Sequence, residues 1–73
     1  MHRFNERLSA LREKYDLTTS QMAKIAKVTT RMIQLYEQKN YSPNAEVLIK
    51  IAEYFNVSID YLVGRTDNPE VNK

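Results

Sequence analysis

The apolar residues of this chain fall into five short groups at helical spacing, separated by brief polar stretches. Phe4, Leu8, Leu11 and Tyr15 follow one another at intervals of four, three and four residues, which places them on one face of a helix from about Arg3 to Tyr15. The next stretch is Thr18-Thr19-Ser20-Gln21. A threonine with a glutamine three residues on can close a capping box, the hydroxyl accepting a free backbone N–H and the amide reaching back to the cap. A second helix is therefore predicted over Thr19 to Ala26, with Met22, Ala23 and Ala26 facing inward. Val28 falls in a short turn, and Thr29 is the N-cap of a third helix from about Thr30 to Gln38. Its inward positions are Ile33, Tyr36 and Glu37, and its outward positions are Thr30, Arg31, Gln34 and Leu35.

After a loop, Lys39-Asn40-Tyr41-Ser42-Pro43, Asn44 can cap a fourth helix that carries Val47, Leu48, Ile51, Ala52 and Phe55. Ser58 can cap a short fifth helix, Ile59 to Val63, with Asp60 near its positive end. Gly64 suits the left-handed position that closes a helix. The residues after it are polar, include Pro69, and read as a flexible tail over 66–73. No stretch alternates apolar and polar residues long enough to make a strand. The fold class is all-α: five short helices in one compact domain over residues 1–65.

Composition narrows the function. A chain of 73 residues has room for one domain with a thin core. The absence of cysteine excludes disulfides, zinc fingers and thiol catalysis together. No apolar run approaches the roughly 20 residues of a membrane span. Met1 to Glu6 has no apolar core segment, so no signal peptide is expected and the expected location is the cytoplasm. His2, the single histidine, lies too near the terminus to suggest a metal or catalytic role. No glycine-rich loop, nucleophile–base set or paired acidic cleft is present, so no catalytic residue, cofactor, metal or small-molecule ligand is expected. Charge is uneven. Lys24, Lys27, Arg31 and Lys39 oppose Glu37 alone between Leu17 and Pro43, a net of +3. From Glu53 onward, Arg65 and Lys73 oppose Glu53, Asp60, Asp67 and Glu70, a net of −2. A basic middle beside an acidic end is compatible with one face meeting a polyanion, or with an ordinary mixed surface.

The segment Leu17 to Lys39 resembles the helix-turn-helix of the lambda-repressor-like family, the Cro/C1 or XRE type. Counting from Thr19, the unit asks for an apolar residue at its fourth position (Met22) and a small one at its fifth (Ala23). It asks for apolar residues at its eighth and tenth (Ala26, Val28), a β-branched aliphatic at its fifteenth (Ile33) and a large apolar residue at its eighteenth (Tyr36), followed by Glu37. Two helices that cross steeply touch at one point, where only a side chain as small as Ala23 fits. Val28 plugs the corner, and Ile33 and Tyr36 anchor the second helix. The match extends over about residues 3 to 65. One departure is Lys27, which stands where the family places glycine; with positive φ, lysine there costs roughly 1 kcal/mol more than glycine, so either the turn takes a different shape or the cost is tolerated for an added positive charge.

The resemblance implies a sequence-specific DNA-binding transcriptional regulator, of the repressor kind, whose third helix enters the major groove of double-stranded DNA. Thr30, Arg31, Gln34 and Leu35 would face the bases. Arg31 suits guanine or, alternatively, a phosphate; Gln34 suits adenine; Leu35 and the Thr30 methyl suit a thymine methyl. Thr18, Thr19, Thr29, Lys39 and Asn40 would contact phosphates, and Arg12 and Glu37 would form an ion pair locking the first helix to the third. If half exposed, that pair contributes about 0–1 kcal/mol. The resemblance also implies a homodimer on a pseudo-palindromic operator, with Tyr54, Tyr61 and Val63 as contact candidates. The competing reading is a protein-interaction module on the same fold that has lost DNA binding and uses a Met32/Leu35 face.

Overall fold

The computed structural model describes residues 3–70. It contains five helices: α1 (Phe4–Lys14), α2 (Thr19–Ala26), α3 (Thr30–Lys39), α4 (Ala45–Phe55) and α5 (Ile59–Leu62). No strand occurs among the described residues. His2 and residues 71–73 lie outside them.

Local chemistry sets most helix boundaries. Thr18 closes the capping box with Gln21: its hydroxyl accepts from the Gln21 N–H at 3.1 Å, and its own N–H donates to Gln21 Oε1 at 2.8 Å. Thr29, Asn44 and Ser58 cap α3, α4 and α5 by accepting from Met32, Val47 and Tyr61 N–H groups. At the other ends, Lys27, Asn40 and Asn56 adopt the left-handed conformation that stops a helix. Helix α3 runs through Lys39, one residue past the predicted end, because Asn40 is the first residue to leave the helical region. The ends of α1 and α5 also fall one residue inside those predicted, at Lys14 and Leu62.

Helix α1 packs on α3 and α5, α2 on α3 and α4, and α4 on α5. At the centre, Phe4, Leu8, Met22, Ile33, Ile51 and Leu62 are fully buried. Phe4 meets the edge of Tyr36 with ring centroids 5.5 Å apart. Two residues depart from the inward stripes predicted for them. Tyr15 is 49% exposed, because it caps the end of α1 and lays its ring on Phe55, 5.2 Å away, from outside. Leu48 is only half-buried, at the edge of the core.

The polar residues after α5 bond back to the domain as far as Pro69. Arg7 Nη2 lies 2.7 Å from Asp67 Oδ1 and 3.4 Å from the Thr66 carbonyl, and its guanidinium covers the Tyr61 ring at 4.2 Å. The Ser58 N–H donates to the Pro69 carbonyl at 2.9 Å. Gly64 has φ +82°, and a Cβ there would lie 2.8 Å from Arg3 Cβ. Gly64→Ala is therefore expected to lower stability by about 1–2 kcal/mol, read as a lower urea midpoint; an unchanged midpoint would show that Arg3 gives way without cost.

Candidate nucleic-acid interface

The helix-turn-helix is assembled around Ala23. It is buried where α2 meets α3, and Val28, half-buried in the turn, packs against the core beneath. Ile33 and Tyr36 are buried from α3, and burial pushes the Tyr36 hydroxyl pKa upward, keeping it neutral. Glu37 also faces inward. Its carboxylate takes two hydrogen bonds from Arg12, at 2.8 Å from Nε and 3.1 Å from Nη2, while Arg12 Nη1 donates to the Leu17 carbonyl at 3.2 Å. The two side chains are 24% and 10% exposed. Hydrogen bonding to Glu37 outweighs desolvation and holds the Arg12 pKa above its ordinary value, so the guanidinium stays charged. The turn between α1 and α2 and the orientation of α3 are thus fixed by one fork of charge-assisted bonds.

With one side of α3 anchored, the other is free, though not uniformly. Arg31 and Gln34 are exposed, and Thr30 and Leu35 are half-buried at the margins of the same face. Leu35 therefore presents part of its side chain and is not a free-standing apolar residue. Met32 packs against the core, so Met32 and Leu35 do not form one open apolar face.

Around this face lie Thr18, Thr29, Lys39 and Asn40, all exposed, and Thr19, half-buried. The Thr18 and Thr29 oxygens are engaged as caps, yet each hydroxyl keeps a proton to donate. The first N–H groups of α2 and α3 have no intrahelical partner and carry the positive ends of the helix dipoles. Together these groups make a set of donors suited to phosphate oxygens.

Charge pairing sharpens the picture. Arg3, Arg7, Arg12, Lys50 and Arg65 each pair with a carboxylate. Among the described residues, five cations pair with none: Lys14, at the end of α1, and Lys24, Lys27, Arg31 and Lys39, the cations of the helix-turn-helix. The sequence assigned Arg31 and Lys39 as contacts and counted Lys24 and Lys27 only in the local excess of positive charge, with no contact assigned to either. Among the described residues no group of three or more His, Cys, Asp or Glu side chains could hold a metal ion, and no helix is long and apolar enough to cross a membrane.

This arrangement defines the class: a lambda-repressor-like helix-turn-helix domain. Residues 5–67 match the family model described as "Helix-turn-helix domain", and the chain belongs to that family. Among curated proteins it is 32% identical over 65 residues to YobD of Bacillus subtilis, an uncharacterized HTH-type transcriptional regulator, covering 89% of this chain and 58% of YobD. It is 38% identical over 64 residues to an HTH-type transcriptional regulatory protein of Methanococcus maripaludis strain C5, of which it covers 20%. The chain thus spans between a fifth and three fifths of the length of these relatives. Among solved structures, a transcriptional regulator from Listeria innocua superposes with a TM-score of 0.80 at 40% identity, covering 86% of this chain and 59% of that one. The P22 c2 repressor, solved in complex with synthetic operator 9T, superposes with a TM-score of 0.75 at 28% identity, covering 82% and 91%.

Proposed function

We propose that this chain is the DNA-reading part of a transcriptional regulator, of the repressor kind, that inserts α3 into the major groove. The observation that carries this reading is the set of four unpaired cations on a helix-turn-helix whose recognition face exposes Arg31 and Gln34 between the half-buried Thr30 and Leu35. A cation left without a carboxylate on a protein that pairs its other arginines is available to displace condensed counterions from a phosphate backbone. The similarity to a repressor solved on operator DNA supports the same direction. The protein-interaction alternative is weakened because Met32 is committed to the core.

In this reading Arg31 and Gln34 read base edges, Thr30 and Leu35 touch thymine methyls, and Thr18, Thr19, Thr29, Lys39 and Asn40 hold phosphates. A homodimer on two half-sites fits the operator geometry, with half-site centres about 34–36 Å apart. Of the three contact residues suggested by resemblance, Tyr54 is open at 63% exposure, whereas Tyr61 is capped by Arg7 and Val63 is half-buried. Ile49 and Ile59, both exposed, line one groove between α4 and α5, whereas Tyr54 lines a separate one with Tyr15, Leu17 and Phe55. The location implied is the cytoplasm, where operator DNA is met.

Selection from a random duplex pool tests the reading, since a palindromic consensus reports both specificity and symmetry. Binding of the selected duplex should weaken steeply as salt rises; no enrichment, or a flat salt response, would remove the proposal. On that duplex, Arg31→Ala should lower affinity by about 1–3 kcal/mol and make one base position permissive. An equal loss on every sequence would reassign Arg31 to a phosphate.

A further inference from the structure

Among the described residues, four other than glycine have positive φ: Asp16, Lys27, Asn40 and Asn56. Aspartate and asparagine tolerate this region because their short polar side chains bond locally. Lys27 has no such compensation. At φ 61° and ψ 40° it ends α2, with its N–H donating to the Ala23 carbonyl. Its side chain is exposed and meets no carboxylate among the described residues. The lysine therefore gives the turn neither a favoured backbone geometry nor an ion pair, and glycine would serve the fold better. Strain kept at a position with no structural return points to a role outside the fold.

The position says which role. Lys27 stands two residues before Thr29, the N-cap of α3. Two residues of chain span at most about 7 Å, and an extended lysine side chain covers most of that distance. Its ammonium can thus come to the rim where the Thr29 hydroxyl and the first N–H groups of α3 face outward. Lys24, one turn earlier in α2, is exposed on the approach. We propose that Lys27 is a DNA-phosphate contact that docks the turn of the helix-turn-helix against the backbone beside the groove, and that the left-handed strain is kept for it. This rests on the DNA-binding reading above.

The test compares the parent chain with Lys27→Gly, Lys27→Asn and Lys27→Arg, measuring thermal unfolding and affinity for a random-sequence duplex between 50 and 200 mM salt. Lys27→Gly should unfold a few degrees higher yet bind more weakly. Each lost phosphate contact lowers the slope of log affinity against log salt by about 0.9, so the parent's affinity ratio across that fourfold salt range should shrink about threefold. Lys27→Asn should show the same loss of slope, since asparagine suits the backbone but carries no charge, and Lys27→Arg should retain the parent slope. Parental slopes in the glycine and asparagine variants would overturn the assignment while leaving the DNA-binding reading intact. A parent chain with no salt-dependent binding would instead sink that reading, and this one with it.

Discussion

Replacing Ile33 by alanine is expected to lower stability by about 2–5 kcal/mol and to abolish DNA binding in proportion to the unfolded fraction. Ile33 is fully buried on the anchored side of α3, in one core with Phe4, Met22 and Ile51. Truncation removes three carbons from water-free surroundings and leaves a cavity that four short helices cannot collapse around without losing their other contacts. The effect is large against the whole. At about 0.05–0.15 kcal/mol per residue, a domain of this size has only a few such losses in reserve. The thermal midpoint should fall by about 10 °C or more. Ile33→Val, which keeps most of the volume, should cost about 0.5–1.5 kcal/mol. A loss below 1 kcal/mol for the alanine variant would mean that α3 is held by something other than its buried stripe.

The second large effect is expected at Arg12. Arg12→Ala should destabilise the domain by about 2–3 kcal/mol, because it strips a mostly buried carboxylate of both its hydrogen bonds and leaves the Leu17 carbonyl without its donor. That figure is the penalty of deleting one partner. It differs from the net worth of the pair, for which resemblance suggested about 0–1 kcal/mol. The two quantities separate in a double-mutant cycle. Arg12→Met with Glu37→Met should recover most of the stability lost by either change alone. A double variant no more stable than Arg12→Ala would show that the pair, and not the orphaned carboxylate, supplies the energy. Because Arg12 bridges α1, the following turn and α3, its loss should also broaden base preference in whatever binding survives.

Much of this was readable along the chain for a physical reason. Helix caps are local: Thr18 with Gln21, Thr29 with Met32 and Ser58 with Tyr61 each act over three residues, so the residue types at the right offset determine the boundary. The buried stripes of α1, α2 and α3 followed from spacing alone, since a helix with an apolar face can satisfy it in one way. The left-handed backbone at Gly64 was anticipated from position, whereas at Lys27 the sequence left the shape of the turn open.

Other features escaped for the complementary reason. Tyr15 has the spacing of a core residue and sits outside because α1 ends before it. Leu35 has an outward position and is half-covered by what surrounds α3. The polarity of residues 66–70 suggested a free tail, and nothing local announces that Asp67 meets Arg7 from 60 residues away. Which cations are neutralised and which stay open depends on the same distant pairings. The sequence by itself determined where the helices begin and end to within a residue, which side of each turns inward, and that the small Ala23 is buried in the helix-turn-helix. Only the tertiary structure decided how far Leu35 and Tyr15 are covered, that Arg7 of α1 ties down Thr66 and Asp67, and that Lys24, Lys27, Arg31 and Lys39 remain unpaired. Capping and periodicity act within a turn or two of helix, whereas burial at the edges and charge pairing are set by which elements come to lie side by side.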